Sequence, residues 1–183
     1  MSQSKIETPR LILRQWQVSD YEPFIAMNMD SEVMRYFPST QTREQTLALI
    51  ERLKSHFAQH GYGPFAVERK DTGKFIGFTG LSFPRFESYF TPSVEVGWRL
   101  SKEHWNKGFA QEAAKASLEF GFNTVGLKEI YSFTSIHNLP SINVMKKIYM
   151  KEDGQFEHPN VPDGNWLKTH VLYKIENKQT TNP

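Results

Sequence analysis

Residues 95–110 read EVGWRLSKEHWNKGFA, and they combine a strand, a short polar loop and the first residues of a helix. The N-terminus of a helix carries unpaired backbone N–H groups and the positive end of the helix dipole. Gly108 permits close approach to those groups, and Lys107 adds a positive charge beside them. The segment therefore predicts a seat for a pyrophosphate group.

The same segment has a plainer interpretation, because many α/β proteins place one glycine in such a loop for packing reasons alone. The loop lacks the lysine-serine pair of a P-loop and the GxGxxG spacing of a Rossmann dinucleotide site. Neither of those nucleotide sites is supported. Packing and pyrophosphate binding both stay open on this segment alone.

The helix that follows is predicted to run from Gly108 to Val125. Small side chains lie on approximately one of its faces, and they let the helix axis approach a sheet closely. These small residues are Ala110, Ala113, Ala114, Ser117 and Gly121.

The N-terminal region predicts a strand and two helical segments. Residues 6–14 are rich in Ile and Leu and indicate one opening strand. Ser19 and Asp20 offer capping side chains ahead of a short helix at residues 21–29, and residues 31–38 suggest a further turn of helix closed by proline.

A longer helix is predicted after Thr42, because Gln45 follows three residues later and completes a capping box. Gly61 ends the run. The apolar residues between them recur at helical spacing, and they are Leu49, Ile50, Leu53 and Phe57.

The rest of the chain reads as strands with one more helix. Asp71 to Gly73 has the composition of a tight turn and predicts an antiparallel hairpin between the first two strands of this region. Residues 139–149 predict the helix. The predicted strands are Phe65–Glu68, Phe75–Leu81, Val94–Leu100, Ile130–Ile136, Gln155–His158 and Thr169–Ile175.

Composition limits the classes of function. The 183 residues carry 22 basic and 20 acidic side chains without a dense block of either sign, so nucleic acid is not the expected partner. The absence of cysteine excludes a disulfide, a thiolate metal ligand and a cysteine nucleophile. No apolar run is long enough for a membrane span or a signal peptide, so we expect a cytoplasmic protein with one domain over residues 1–176 and a frayed tail over 177–183.

Several motifs, in order along the chain, resemble the GCN5-related N-acetyltransferase (GNAT) superfamily, in the branch typified by the ribosomal-protein N-terminal acetyltransferases RimJ and RimL. The pyrophosphate loop of that superfamily has Gln or Arg at its first position, where this chain has the Trp105 usual in the branch, while Gly108 and Ala110 match. The motifs are residues 8–14 (TPRLILR), 75–77 (FIG), 95–100 (EVGWRL), 105–113 (WNKGFAQEA) and 138–147 (NLPSINVMKK).

The resemblance implies a mixed α/β fold, with a central twisted sheet of about seven strands flanked by helices. A V-shaped opening between the fourth and fifth predicted strands would hold acetyl-CoA, and the splayed edge of the fourth would pair with the pantetheine arm. No metal is implied, and a homodimer is a family-level expectation. The implied cofactor-binding residues are Trp98, Arg99, Leu100, Trp105, Asn106, Lys107, Gly108, Phe109, Ala110, Asn138 and Ser141.

Two residues are candidates for catalysis. Glu95 lies on the strand beside the expected thioester and would act as the base for the amine, although a strand carboxylate can also simply face solvent. The resemblance places a tyrosine acid seven residues after Asn138, where this chain has Met145. Ser141 is the best substitute by position, although a serine there also suits helix capping.

Further residues near this region carry open interpretations. Tyr149 stands where most relatives have glycine, so either the helix ends differently or some strain is tolerated. His137 is more often structural at such a position. Six aromatic residues could line the acceptor site or pack in the core or at its rim: Tyr36, Phe37, Phe86, Tyr89, Phe90 and Trp166.

The expected acceptor is a primary amine. At pH 7 deprotonation costs about 1.1 kcal/mol for an α-amine and about 4.6 kcal/mol for a lysine, from their unperturbed pKa values. That difference favours protein or peptide N-termini modestly, and small-molecule amines stay open. Two other hypotheses are an acyl-CoA-binding or regulatory module without turnover, which Met145 supports, and a plain α/β binding domain that does not bind coenzyme A.

Overall fold

The computed structural model describes residues 5–177, which form one open sheet of eight strands. The strands in chain order are β1 (Lys5–Glu7), β2 (Leu11–Arg14), β3 (Pro64–Arg69), β4 (Phe75–Ser82), β5 (Glu95–Leu100), β6 (Glu129–Ser135), β7 (Lys151–Glu157) and β8 (Thr169–Glu176). They lie in the order β1-β2-β3-β4-β5-β6-β8-β7. All neighbours are antiparallel except β5 and β6, which are parallel.

The prediction of about seven strands was one too low, because the opening segment forms two strands and not one. Thr8 makes the turn: its N–H donates to the Leu11 carbonyl at 3.0 Å, and its hydroxyl accepts from the Leu11 N–H at 2.9 Å. Pro9, inside the turn, has no N–H to contribute to a ladder. The chain therefore folds back on itself, and Ile6 pairs with Leu13.

Four helices flank the sheet: α1 (Tyr21–Met29), α2 (Arg43–His60), α3 (Phe109–Phe120) and α4 (Leu139–Lys147). The capping box of Thr42 and Gln45 and the left-handed Gly61 at the end of α2 are both confirmed. The predicted cap of α1 is wrong, because the Asp20 side chain makes no cap bond to that helix. Residues 31–36 form turns without regular helix.

Asp20 is instead committed to an ion pair. Its carboxylate accepts hydrogen bonds from Arg14 Nη1 at 2.7 Å and Nη2 at 2.8 Å, and Arg14 Nε donates to Glu68 at 2.7 Å. The bonds to Asp20 first, and those to Glu68, raise the pKa of Arg14 although burial opposes them. The Arg14 guanidinium, which is almost fully shielded from solvent, therefore has two carboxylate partners.

Helix α3 occupies the predicted extent, since Gly108 caps it and one π turn over Gly121–Val125 follows Phe120. Ala113 and Ala114 are fully buried against the sheet. A Cβ at Gly121 would lie 2.8 Å from Ile130 Cδ1 and 2.9 Å from Leu81 Cδ1, so a larger residue would require these side chains to shift. The predicted close approach of small residues to the sheet is thereby confirmed.

The two faces of the sheet carry separate hydrophobic cores, as the alternation along β3 illustrates. Phe65 and Val67 point into the core beneath α3 and α4, while Ala66 between them points into the core beneath α1 and α2. A third cluster around Phe156 and Leu172 lies over β6, β7 and β8. No helix among residues 5–177 is long and apolar enough to cross a membrane.

The C-terminal strand extends slightly further than predicted. Asn177 is buried and its N–H donates to the Lys128 carbonyl at 2.8 Å, so the expected frayed tail does not begin at this residue. The rest of that tail, residues 178–183, lies outside the described residues.

Tyr149 ends α4 in a left-handed conformation, with a φ of 66°. The Met150 N–H donates to the Met145 carbonyl and the Tyr149 N–H to the Lys146 carbonyl, both at 3.1 Å. These two bonds form a Schellman motif, in which the left-handed residue is usually glycine. The helix therefore ends in the common way, and tyrosine tolerates the strain.

Replacing Tyr149 by glycine should raise the free energy of unfolding by about 0.5–1 kcal/mol, because relief of left-handed strain exceeds the entropy that glycine adds to the unfolded chain. Tyr149→Ala is the matched control, since it removes the same exposed ring but keeps the strained Cβ. Denaturant unfolding of both variants measures the effect. A glycine variant no more stable than the alanine variant would contradict this account.

Candidate active site

The site begins where the sheet comes apart. Strands β5 and β6 pair at one position, Glu95 opposite Tyr131, where the Tyr131 N–H donates to the Val94 carbonyl at 2.9 Å. Within the described residues no later pair joins the two strands. They diverge beyond this point, which gives the V-shaped opening predicted between the fourth and fifth predicted strands.

Alternation along β5 determines which main-chain groups face this opening. The Ser101 N–H donates to the Ile76 carbonyl at 3.0 Å, so the groups of Arg99 and Gly97 also face β4. Those of Trp98 and Leu100 face the opening. Arg99, which the resemblance implied as a cofactor-binding residue, turns its main-chain groups toward β4 and its side chain toward Asn28 instead. The Leu100 carbonyl accepts the Trp105 indole N–H at 2.8 Å, which leaves its N–H and the Trp98 peptide groups as the unpaired edge.

The loop before α3 is shaped by two left-handed residues, Asn106 with a φ of 58° and Gly108 with a φ of 79°. Gly108 is the N-cap and has no side chain with which to cap the helix. The N–H groups of the next three residues, Phe109 to Gln111, therefore have no intrahelical acceptor and no side-chain cap. Such a group of N–H donors at the positive end of a helix suits an anion.

Cationic side chains surround this loop. The Arg10 guanidinium lies 4.5 Å and that of Arg69 5.2 Å from the centre of the Phe109 ring. Lys107 is exposed and its ammonium donates to the Glu103 carbonyl at 2.7 Å, so in this structure its charge is directed toward the preceding turn. Arg10 and Arg69 are paired with Glu112 and Asp71, so the N–H groups at the start of α3 are the donors left for an anion.

Arg10 also fixes the position of the loop, and reasoning from sequence missed this role. Its Nη1 donates to the Lys107 carbonyl at 2.9 Å, and its Nε donates to the Glu112 carboxylate at 2.6 Å. The Arg10 N–H at 2.9 Å and the Thr8 hydroxyl at 2.6 Å donate to the same carboxylate. The turn between β1 and β2 thereby holds the first turn of α3, and it neutralises an acidic side chain beside the proposed anion seat.

Asn138 lies across the opening, at the start of α4. Its Oδ1 accepts the Ser141 N–H at 3.3 Å, and its Nδ2 donates to the Thr134 hydroxyl at 2.8 Å. The side chain is buried and caps the helix, a role that the sequence analysis did not assign to it. The Ser141 hydroxyl makes no hydrogen bond to the described residues, so it is available to a ligand.

Met145 is fully buried in the core beneath α3 and α4. The position at which the resemblance expects a tyrosine acid therefore contributes to packing in this chain. Ser141 stays the predicted substitute for the tyrosine acid.

Glu95 lies on the opposite face of β5 from Trp98 and is partly buried. Burial raises the pKa of its carboxyl to about 7, and a hydrogen bond from the Ser82 hydroxyl at 3.3 Å opposes that rise. A carboxylate with a pKa near neutrality is suited to take up a proton at pH 7 and above. The described residues include no group of three or more His, Asp or Glu side chains that could hold a metal ion.

The six aromatic residues named from sequence lie in different surroundings. Phe86 and Phe90 pack in the third hydrophobic cluster. Tyr36 contacts Trp166 with ring centres 6.3 Å apart, and Trp166 contacts His137 at 5.2 Å, beside Asn138. Phe37 covers Arg99, and Tyr89 is exposed.

A mixed sheet that opens between two parallel strands, with an uncapped helix N-terminus beside the opening, defines the fold of the GNAT acetyltransferases. Residues 10–151 match the family described as "Acetyltransferase (GNAT) domain". The chain belongs to this family and is an acetyl-CoA-dependent acetyltransferase. The chain is also 35% identical over 172 residues to the uncharacterised N-acetyltransferase YnaD of Bacillus subtilis, covering 93% of this chain and 95% of YnaD.

Solved structures agree with this assignment. A GNAT-family acetyltransferase from Bacillus anthracis is 29% identical, with a TM-score of 0.77 over 94% of this chain and 98% of that one. A spermidine N-acetyltransferase from Vibrio cholerae, in complex with CoA and spermine, is 21% identical, with a TM-score of 0.72 over 92% of this chain and 96% of that one. At that identity the second likeness concerns the fold alone.

Replacing Glu112 by glutamine should lower the free energy of unfolding by about 1 kcal/mol at pH 7, because it removes the charge from a partly exposed set of hydrogen bonds. Burial alone would raise the pKa of Glu112, but the bonds from Thr8 and Arg10 hold it below its ordinary value of 4.5. The carboxylate thus stabilises the fold fully above pH 4.5 and loses that effect as the pH falls through the lowered pKa.

Denaturant unfolding of wild type and Glu112→Gln between pH 3 and 8 measures this contribution. The two stabilities should converge at the acid end of the range. Glu119→Gln on the outer face of α3 is the control, since Glu119 is exposed and pairs loosely with Lys115. An equal loss in both variants, or a loss that does not depend on pH, would contradict the role given to Glu112.

Proposed function

We propose that this acetyltransferase transfers acetyl from acetyl-CoA directly to a primary amine, within a ternary complex. The observation that carries the proposal is the unpaired edge at Trp98 and Leu100, which ends beside the uncapped first turn of α3. A ligand with an amide-bearing arm and a diphosphate matches these two features in that order. The lack of cysteine also favours direct transfer over an acyl-enzyme.

The diphosphate would contact the loop and the helix start, where the N–H groups of residues 109–111 and the positive end of the helix dipole lie. Trp105 and Asn106 would shape that loop together with Lys107 and Gly108. The pantetheine arm would add to the edge of β5 as an extra strand, since main-chain groups without partners accept such pairing. Asn138 and Ser141 would close the opposite wall.

When bound, acetyl-CoA supplies an activated thioester. Glu95 takes up the proton of the attacking amine, either directly or through a water molecule, since its raised pKa leaves it able to do so near neutral pH. The main-chain N–H groups on the open edge of β5 stabilise the negative charge that develops on the carbonyl oxygen. The Ser141 hydroxyl would relay a proton from a water molecule to the departing sulfur, or would hold a water that protonates the sulfur.

An α-amine of a protein or peptide, or a small-molecule amine, fits this machinery. A single carboxylate deprotonates an α-amine more easily than a lysine, because the α-amine has the lower pKa. The opening motif at residues 8–14 and Trp105 support membership of the RimJ and RimL branch. A cytoplasmic location and a homodimer are parts of the same proposal.

A second candidate function is an acyl-CoA-binding or regulatory module without turnover. Met145, buried where a tyrosine acid is expected, is the observation that favours it. The two candidates share a coenzyme A site and differ in whether the protein has a turnover that depends on Glu95. A plain α/β binding domain would share neither property.

Coenzyme A should raise the melting temperature of the wild-type protein by several degrees, because a ligand that binds the native state stabilises it. Gly108→Val should abolish that shift, since a β-branched residue cannot easily adopt a φ of 79° and would crowd Arg10, whose Nη2 lies 3.3 Å from an added Cβ. Gly73→Val is the control, because Gly73 has a φ of 64° in an open turn away from the site. A shift that both variants retain would refute the site.

Glu95→Gln should lower kcat by about 100-fold or more, the usual contribution of a general base. The wild-type rate should rise with pH through about 7, because the base works only when ionised. Free thiol release from acetyl-CoA, with N-terminal peptides, lysine peptides and small amines as acceptors, measures both effects. Binding of coenzyme A with turnover that does not depend on Glu95 would favour the module.

Stability gives an independent check on the same variant. The unfolded chain loses the Glu95 proton near pH 4.5 and the folded chain near 7, so wild-type stability falls as the pH rises between those values. Glu95→Gln should therefore be more stable than wild type at pH 8, by about 1–3 kcal/mol. A less stable and inactive variant would indicate a structural defect and not the loss of a base.

A further inference from the structure

Arg99 is a guanidinium without a carboxylate partner. It lies on the same face of β5 as Glu95, and its Nη1 donates to Asn28 Oδ1 at 2.6 Å. Its Nε is shielded from solvent and has no hydrogen-bond partner. No ion pair among residues 5–177 includes it, whereas the comparably enclosed Arg14 has both Asp20 and Glu68.

The contrast between the two arginines has an electrostatic consequence. Burial lowers the pKa of Arg99 to about 10, and no neighbouring anion offsets the loss of hydration. The Phe37 ring at 4.3 Å and the Phe78 ring at 5.5 Å give only partial compensation through their faces. A buried charge without a counter-ion is costly, so an anion that reached it would be bound strongly.

Between Glu95 and Arg99 the sheet surface is bare. Gly97 pairs with Gly80 across β4 and β5, so this rung of the ladder carries no side chain. A Cβ built at Gly97 would meet no atom within 4 Å, so the space above the rung is open. The neighbouring rungs are Ser82 with Glu95 on one side and Phe78 with Arg99 on the other.

The bare surface over Gly97 and Gly80 is called the gap. It has Glu95, the proposed base, at one end and Arg99, an unpaired cation, at the other. Residues four apart on a strand are separated by about 13 Å between Cα atoms, and the two side chains shorten that span. Phe37, which is partly exposed, covers the Arg99 end. An acceptor lying over Gly97 with its amine at Glu95 would place its far end at the guanidinium.

We propose that the acceptor carries an anionic group, such as a carboxylate, several bonds from the amine that is acetylated, and that Arg99 binds this group. The inference rests on the proposed function, since it concerns the acceptor side of the same site. Arg99 then sets specificity, and it favours acidic amines over polyamines. A guanidinium suits this task because its planar donors match a carboxylate in pairs.

The experiment compares acceptors that share a primary amine and carry an anionic, a neutral or a cationic group at the far end. The linear set is 6-aminohexanoate, hexylamine and hexane-1,6-diamine, and the peptide set is the amides of Ala-Glu-Ala, Ala-Gln-Ala and Ala-Lys-Ala. Free thiol release gives kcat/KM for each. Wild type should prefer the anionic member of at least one set by tenfold or more.

Variants of Arg99 separate specificity from structure. Arg99→Gln should lower kcat/KM for the anionic acceptor at least tenfold and for the neutral one less than threefold, while the KM for acetyl-CoA stays constant. Arg99→Lys should recover part of the preference. Lys115→Gln is the charge control, because Lys115 is exposed on the outer side of α3.

Gly97→Val tests the gap itself. Gly97 is not among the residues with positive φ, so valine is compatible with the strand, and it would fill the space above the rung. The KM for every acceptor should rise by tenfold or more, with the KM for acetyl-CoA unchanged. A constant acceptor KM would show that the acceptor lies elsewhere and would overturn the inference.

The outcomes distinguish the two proposals. Equal use of neutral, cationic and anionic amines, or an equal loss on all of them in Arg99→Gln, overturns the inference and leaves the proposed function intact. Absence of thiol release with every amine defeats the proposed function. In that case calorimetric titration of 6-aminohexanoate into protein saturated with coenzyme A still tests the site, since binding should be lost in Arg99→Gln, and no binding to wild type overturns the inference.

Discussion

The divergence of β5 from β6 after Glu95 is the constraint on which the rest of the structure depends. A break inside a sheet leaves main-chain donors and acceptors unpaired, which a folded protein usually avoids. Here the Trp105 indole satisfies the Leu100 carbonyl, and the remaining groups form one wall of the opening. Helix α3 begins beside it with N–H groups that no side chain caps, and α4 begins after β6 with Asn138 as its cap. The proposed cofactor site depends on the broken ladder more than on any side chain.

The face of β5 that carries Glu95 and Arg99 also contains groups that destabilise the fold, and these groups are charged. Glu95 and Arg99 are both withdrawn from water without an ionic partner, and their pKa values move toward neutrality from opposite sides. The protein does not treat all enclosed charges in this way, because Arg14 is fully paired. Unpaired charges confined to one strand face, next to an open rung, are typical of a site kept ready for a ligand.

Features that depend on residues close in sequence could be predicted. Features that depend on contacts between residues distant in sequence were missed. The capping box at Thr42, the left-handed Gly61 and Gly108, and the small face of α3 depend on neighbours in sequence, so the sequence alone could show them. The bond from Arg10 to Glu112 joins residues 102 apart, and no local pattern announces it. Asp20 was wrongly predicted to cap α1, because the sequence does not show that its carboxylate is bonded to Arg14. The extra strand at Lys5 depends on the turn at Thr8 and Pro9, inside a segment that was predicted to be one strand.

The buried Met145 bears on whether the chemistry can run without a dedicated acid. A tyrosine would be needed at that position only if the thiolate required a strong push toward its protonated form. An unperturbed thiol has a pKa of about 8.5, so protonation of the thiolate is already favourable at pH 7, and a water molecule can supply the proton directly or through a serine hydroxyl. Removing the proton from the amine is the harder step, because water is too weak a base to do so readily for the more basic acceptors. Glu95, whose carboxyl pKa is raised to about 7, is the proposed base for that step, so a core methionine in place of the acid is compatible with the proposed turnover.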